Sequence, residues 1–122
     1  MFALSIIVAT GYRADGCPLH PAERERATAR ADAYAADMFG GFTRHDTTGA
    51  GRDAYGRIVH EPGLCYLILI PEFGEAEQAK ARELAQLLRR AFQQNAVLLT
   101  AAPVAAELIE SPTTQSETKA AA

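Results

Sequence analysis

Several function classes are excluded by what this chain has little of. Its 122 residues carry two cysteines, Cys17 and Cys65, too few for a disulfide framework. Basic residues are not in excess: the formal net charge is −3 and the pI is about 5.6. A dedicated nucleic-acid binder needs a basic face to neutralise phosphates, so none is expected. The longest apolar run after the N-terminus, Leu64 to Ile70, falls far short of the ~20 residues that span a bilayer. The N-terminal run, Phe2 to Ala9, has no basic flank and reads as a first strand and not a signal peptide, which makes the expected location cytoplasmic. No Ser/His/Asp arrangement, catalytic carboxylate pair, Gly-x-Gly-x-x-Gly or Cys-x-x-Cys is present.

What is present alternates between two periods. Residues 3–9 are aliphatic and β-branched and stop at Thr10-Gly11, a strand signature. A polar loop, 11–20, follows. Pro21 suits the first turn of a helix, and Glu23 and Glu25 suit its positive end. Ala27, Ala31, Tyr34, Ala35 and Met38 form a stripe at helical spacing, ended by Gly40-Gly41. Residues 41–70 read as a long interrupted hairpin, with turn-rich sequence at 47–56 and a break at Pro62-Gly63. Leu64 to Ile70 is the strongest strand signal. Ala81, Leu84, Ala85, Leu88, Ala91 and Phe92 mark a second helix from about Glu75 to Gln94. Val97 to Ala101 is a last strand, and Val104 to Ile109 a short helix or an extra edge strand. From Ser111 the composition predicts a disordered tail, leaving one domain over 1–110.

The order β-α-β-β-α-β predicts an α+β, ferredoxin-like sandwich, a four-stranded antiparallel sheet with two helices on one face. The other face of such a sheet is left bare. Exposing it is costly, so a homo-oligomer, dimer or trimer, is expected.

The stretch Thr43-Arg44-His45-Asp46, Ala54-Tyr55-Gly56-Arg57-Ile58, Glu61 and Leu67-Ile68-Leu69-Ile70 resembles the CutA and PII-like branch of ferredoxin-like proteins. That resemblance implies a trimeric module responsive to a ligand or metal. The loop at 11–20 is longer than in CutA, and the nucleotide-binding signature of the classical PII proteins is absent. Gly40-Gly41-Phe42-Thr43, Gly56-Arg57, Glu61-Pro62 and 92–98 also resemble a group of short uncharacterised bacterial domains, which carries no activity over.

The residues that bear chemistry crowd the hairpin. Arg44, His45, Arg52, Tyr55, Arg57 and Glu61, with Tyr12 and Arg13 after the first strand, are the candidate ligand-binding set, because arginines offer forked donors to carboxylate or phosphate. The same charges equally serve to guard an edge strand. His60, flanked by Val59 and Glu61, is the candidate acid/base. Cys17 and His20 sit at a spacing that one metal ion accepts, although two ligands do not make a site. Gly49-Ala50-Gly51-Arg52 reads as a tight turn and not a phosphate loop. Two functions follow. The first is a ligand-binding or regulatory oligomer holding an anionic metabolite or a metal ion at inter-subunit clefts, with no cofactor indicated. The alternative is a small dimeric enzyme using a histidine as acid/base.

Overall fold

A computed structural model describes residues 1–112 of the chain, so the expected tail lies, from residue 113, outside the described residues. Proline at the first helical position and an αL glycine after the last frame α1 (Pro21–Phe39), with Gly40 at φ 80° donating its N–H to the Ala36 carbonyl. The second helix, α2 (Glu75–Ala91), carries Glu75 and Glu77 in its first turn and Arg89 and Arg90 in its last, as the helix dipole favours. Around them run β1 (Phe2–Ala9), β2 (Thr43–Arg52), β3 (Ile58–Ile70) and β4 (Leu98–Pro103). All pairings are antiparallel in the order β2-β3-β1-β4, which is the ferredoxin-like α+β arrangement.

Alternation along the strands sorts the side chains. Leu4, Ile6 and Val8 of β1 and Leu64, Tyr66, Ile68 and Ile70 of β3 face the helices. There they meet Ala27, Ala31 and Ala35 of α1 and Ala81, Leu84 and Leu88 of α2. The alanine stripe lets α1 lie close to the sheet, while the leucines and Phe92 fill the α2 side. Two polar ties lock the layers. The Tyr34 hydroxyl of α1 donates to the Glu83 carboxylate of α2, and burial with that carboxylate pushes the phenol up to about 12. Tyr66, fully buried, donates its hydroxyl to Asp32 Oδ1 of α1 at 2.6 Å, and burial foremost raises its pKa.

The opposite face carries the odd-numbered residues of β1 and β3 and the even-numbered residues of β4. Ile7 pairs with Cys65 and Leu98, and Leu67 and Leu69 lie along the same row. Ile7, Leu69 and Leu98 are 39%, 54% and 58% exposed. Cys65 is buried among its neighbours on this face. Among the described residues, no layer covers this apolar sheet face.

Two expectations are corrected by β2 and β3. Gly49, Ala50 and Gly51 form no turn: they are strand residues paired with Glu61, His60 and Val59. Nor does Pro62-Gly63 interrupt β3, which is continuous. The Pro62 carbonyl faces away from β2 and accepts the Thr10 N–H at 2.9 Å, so the Pro62 nitrogen faces the same way and its missing N–H leaves the β2–β3 ladder intact. Gly63 is where β3 leaves the sheet. A Cβ there would stand 2.7 Å from the Val8 carbonyl oxygen and 2.6 Å from Thr47 Oγ1. Beyond it the pairs from Thr48↔Pro62 to Arg52↔Ile58 have no third strand, so β2 and β3 project as a two-stranded arm of about 17 Å. The last strand begins one residue later than expected, and residues 104–109 adopt neither helix nor strand.

Gly63→Ala should lower the stability of folding by about 2 kcal/mol, because the Val8 backbone as well as the Thr47 side chain meets the added methyl. Urea denaturation checks this, and an unchanged midpoint contradicts it. Tyr66→Phe should cost about 1 kcal/mol at neutral pH. The raised phenol pKa makes native protein hold its proton longer than the unfolded chain, whose tyrosines ionise near the ordinary value of 10.0. Stability is thus full below that pH and falls as pH climbs above it, and the fall should be shallower in Tyr66→Phe.

Candidate functional site

The arm ends in a turn that consumes much of the charge the sequence places there. Gly56 takes φ 77° and donates its N–H to the Asp53 carbonyl at 3.0 Å, the geometry of a type I turn with a glycine bulge. Asp53 Oδ1 accepts the N–H groups of Tyr55 and Arg57 at 2.9 and 3.0 Å. Arg57 closes an ion pair with Asp53 at 3.4 Å and lies 5.3 Å from the Tyr55 ring centre. Arg52 gives one N–H to the Gly56 carbonyl at 2.6 Å. Arg57 and one N–H of Arg52 therefore hold the turn together, while Tyr55, 83% exposed, lies bare at its tip.

At the root of the arm two hollows flank the β2–β3 ladder, one on each face. The first, of about 440 Å³, is lined by Ala9, Gly49, Gly51, Val59, Glu61 and Gly63 and by Arg52 and Asp53 at its rim. It lies on the open-face side, as the odd-numbered alternation requires. Its emptiness comes from the glycines: a Cβ on Gly51 would touch nothing within 4 Å, and one on Gly49 only the Glu61 carbonyl at 3.8 Å. Glycine weakens a strand, so two where side chains fit leave room for something else. Glu61, half-buried, turns one carboxylate oxygen to the Tyr12 N–H at 3.2 Å. Tyr12 in turn receives the Gln94 side-chain amide on its carbonyl at 2.6 Å, which fixes the β1–α1 loop against the arm.

The second hollow, of about 710 Å³, lies on the helix side between α1 and the β2 edge. Here Arg44 Nε donates to Asp32 Oδ1 at 3.0 Å, the same oxygen that receives Tyr66. The remaining candidates separate. His45 lies on the open face opposite Cys65, and His60 is exposed opposite Ala50 with no polar side-chain partner among the described residues. Arg13 pairs with Asp15 at 3.3 Å, and the Cys17 N–H, foremost, and Arg13 hold the Asp15 carboxyl below the usual carboxylate range. His20 caps α1, its Nδ1 accepting the Ala22 N–H at 3.1 Å. No group of three or more His, Cys, Asp or Glu converges for a metal ion among the described residues, so His45, His60 and Glu61 do not join Cys17 and His20. The Asp32–Arg44–Tyr66 cluster went unread because Tyr66 sits inside an apolar run.

The pattern of a family described as "Protein of unknown function (DUF3574)" matches residues 23–108. The chain belongs to that family. No curated protein matches it. Among solved structures, the DUF3574 chain is similar to a phage SAM lyase in complex with S-methyl-5′-thioadenosine, with 19% identity over 83% of this chain and 79% of that one and a TM-score of 0.62. It is also similar to the periplasmic divalent cation tolerance protein CutA from Archaeoglobus fulgidus, with 13% identity over 88% of each chain and a TM-score of 0.51. At these identities the likeness establishes the ferredoxin-like fold, CutA's included. The family match starts inside α1, so β1 and the Tyr12–His20 loop precede the matched residues. No helix among the described residues is long and apolar enough to cross a membrane.

The two thiols of the DUF3574 chain should differ sharply in reactivity. Cys17 is exposed, whereas Cys65 is buried and burial raises its pKa. Iodoacetamide at neutral pH should label Cys17 alone in native protein and both residues after unfolding; rapid native labelling of Cys65 would overturn its placement.

Proposed function

We propose that this DUF3574 protein is a small-molecule-binding module that acts as a homo-oligomer, with its ligand seated in the open-face cleft at the root of the arm. The observation that carries the reading is a cleft kept open by Gly49 and Gly51, where the fold leaves room for side chains. Its polar groups are half-committed. Glu61 spends one oxygen on Tyr12 and Arg52 one N–H on Gly56, which leaves an acceptor and a forked donor for a ligand. A small molecule with an anionic group for Arg52 and a hydroxyl or amine for Glu61 fits that pair. Among the described residues of one copy no three His, Cys, Asp or Glu converge for a metal ion.

The case for an oligomer is energetic. An isolated two-stranded ribbon is marginal in water, and this arm carries exposed Tyr55, Ile58 and Val59. The bare sheet row of Ile7, Leu69 and Leu98 is apolar too. Arm and face of neighbouring copies can cover each other, closing the cleft that lies between them. The phage lyase with S-methyl-5′-thioadenosine lends support, since a related fold there accommodates a small organic ligand.

Native mass spectrometry of gently purified protein tests the reading. A dimer or trimer with a bound small molecule is expected. Gly51→Val should keep or raise the melting temperature, since a β-branched residue suits a strand better than glycine, and should abolish the bound mass. Glu61→Gln should weaken retention about tenfold, as loss of one charge-assisted hydrogen bond does. A bare monomer, or a Gly51→Val protein that still retains the molecule, would falsify this assignment.

A further inference from the structure

The helix-side hollow carries a second site. Two arginines, Arg24 of α1 and Arg44 of β2, line it together with the carboxylates of Glu25, Asp32 and Asp46. Opposite charges this close ordinarily pair, yet only Arg44 and Asp32 do, at 3.0 Å. Arg24, Glu25 and Asp46 make no side-chain bond among the described residues, so charges of both signs face one groove without closing on each other. The single closed pair is also the positioned one. Tyr66, fully buried, donates to Asp32 Oδ1 at 2.6 Å, and that oxygen takes Arg44 Nε. Held through Nε, the Arg44 guanidinium keeps its two terminal nitrogens for another acceptor.

A purely anionic ligand would meet three carboxylates here, and a purely cationic one would meet two arginines. A ligand with both charges on adjacent atoms satisfies the groove. We infer that this hollow binds a zwitterionic α-amino acid group, its carboxylate on Arg44 and Arg24 and its ammonium on Asp46 and Glu25. The site stands apart from the open-face cleft: the β2–β3 ladder separates them, and this one is complete within one copy.

The test is titration of the full chain with individual L-amino acids, read by amide ¹H–¹⁵N shifts. At least one should shift the amides of Thr28, Thr47 and Thr48, and its decarboxylated amine and its deaminated acid should bind at least about tenfold more weakly, each lacking one charged partner. Arg24→Gln leaves the Tyr66–Asp32–Arg44 tie intact, so it should keep the melting temperature and weaken binding about tenfold. Gly51→Val should leave this binding unchanged, which separates the site from the open-face cleft. The inference fails if no amino acid shifts those amides, if the amine or the acid binds as well as the parent, or if Arg24→Gln binds as tightly.

Discussion

The path of β3 past Gly63 decides what the rest of the molecule can present. At that residue the strand passes so near the Val8 carbonyl and Thr47 that no side chain fits, and the neighbouring Pro62 carbonyl takes the Thr10 N–H. One strand thus serves two structures: a buried central member of the sheet on one side of Gly63, half of a free ribbon on the other. A slip of one residue would turn Leu64, Tyr66 and Ile68 out of the core, so core packing and the glycine contact hold the same register. With the register fixed, Gly49 and Gly51 fall opposite Glu61 and Val59, respectively, and both hollows form where the arm leaves the sheet.

Charge on the arm divides into spent and available parts. Asp53, Arg57 and one N–H of Arg52 are committed to the turn that joins β2 to β3 at the tip of the arm. What remains for a ligand is the second oxygen of Glu61 and the rest of the Arg52 fork on one face, and the groove around Arg44 on the other. The histidines lie outside both hollows: His20 caps a helix, while His45 and His60 sit exposed on β2 and β3. The proposed function accordingly relies on hydrogen bonds and charge and not on histidine acid/base chemistry.

The layered fold was legible because it rests on local periodicity. The alanine stripe of α1, the Leu84 and Leu88 face of α2 and the run from Leu64 to Ile70 sit where their spacing places them. Glycine and proline signals mislead at 49–51 and 62–63, because pairing with a distant strand outweighs turn propensity and the Pro62 nitrogen faces away from β2. The hairpin was identified as the region of interest, but its reach was hidden by those same residues. The contacts that shape the two hollows join Glu61 to Tyr12 and Asp32 to Tyr66, residues far apart in sequence whose meeting no spacing rule announces.

The claim on which the functional account rests is that a second copy covers the arm. Hydrogen exchange of the amides in 48–52 and 58–61, measured on concentrated protein and again after dilution, tests it most directly. A two-stranded ribbon alone opens readily, whereas one packed beneath a neighbour is protected. The account predicts slow exchange in the concentrated sample and fast exchange once dilution separates the copies, with the core amides of Leu4 to Val8 slow in both. Fast exchange along the arm at every concentration would contradict it.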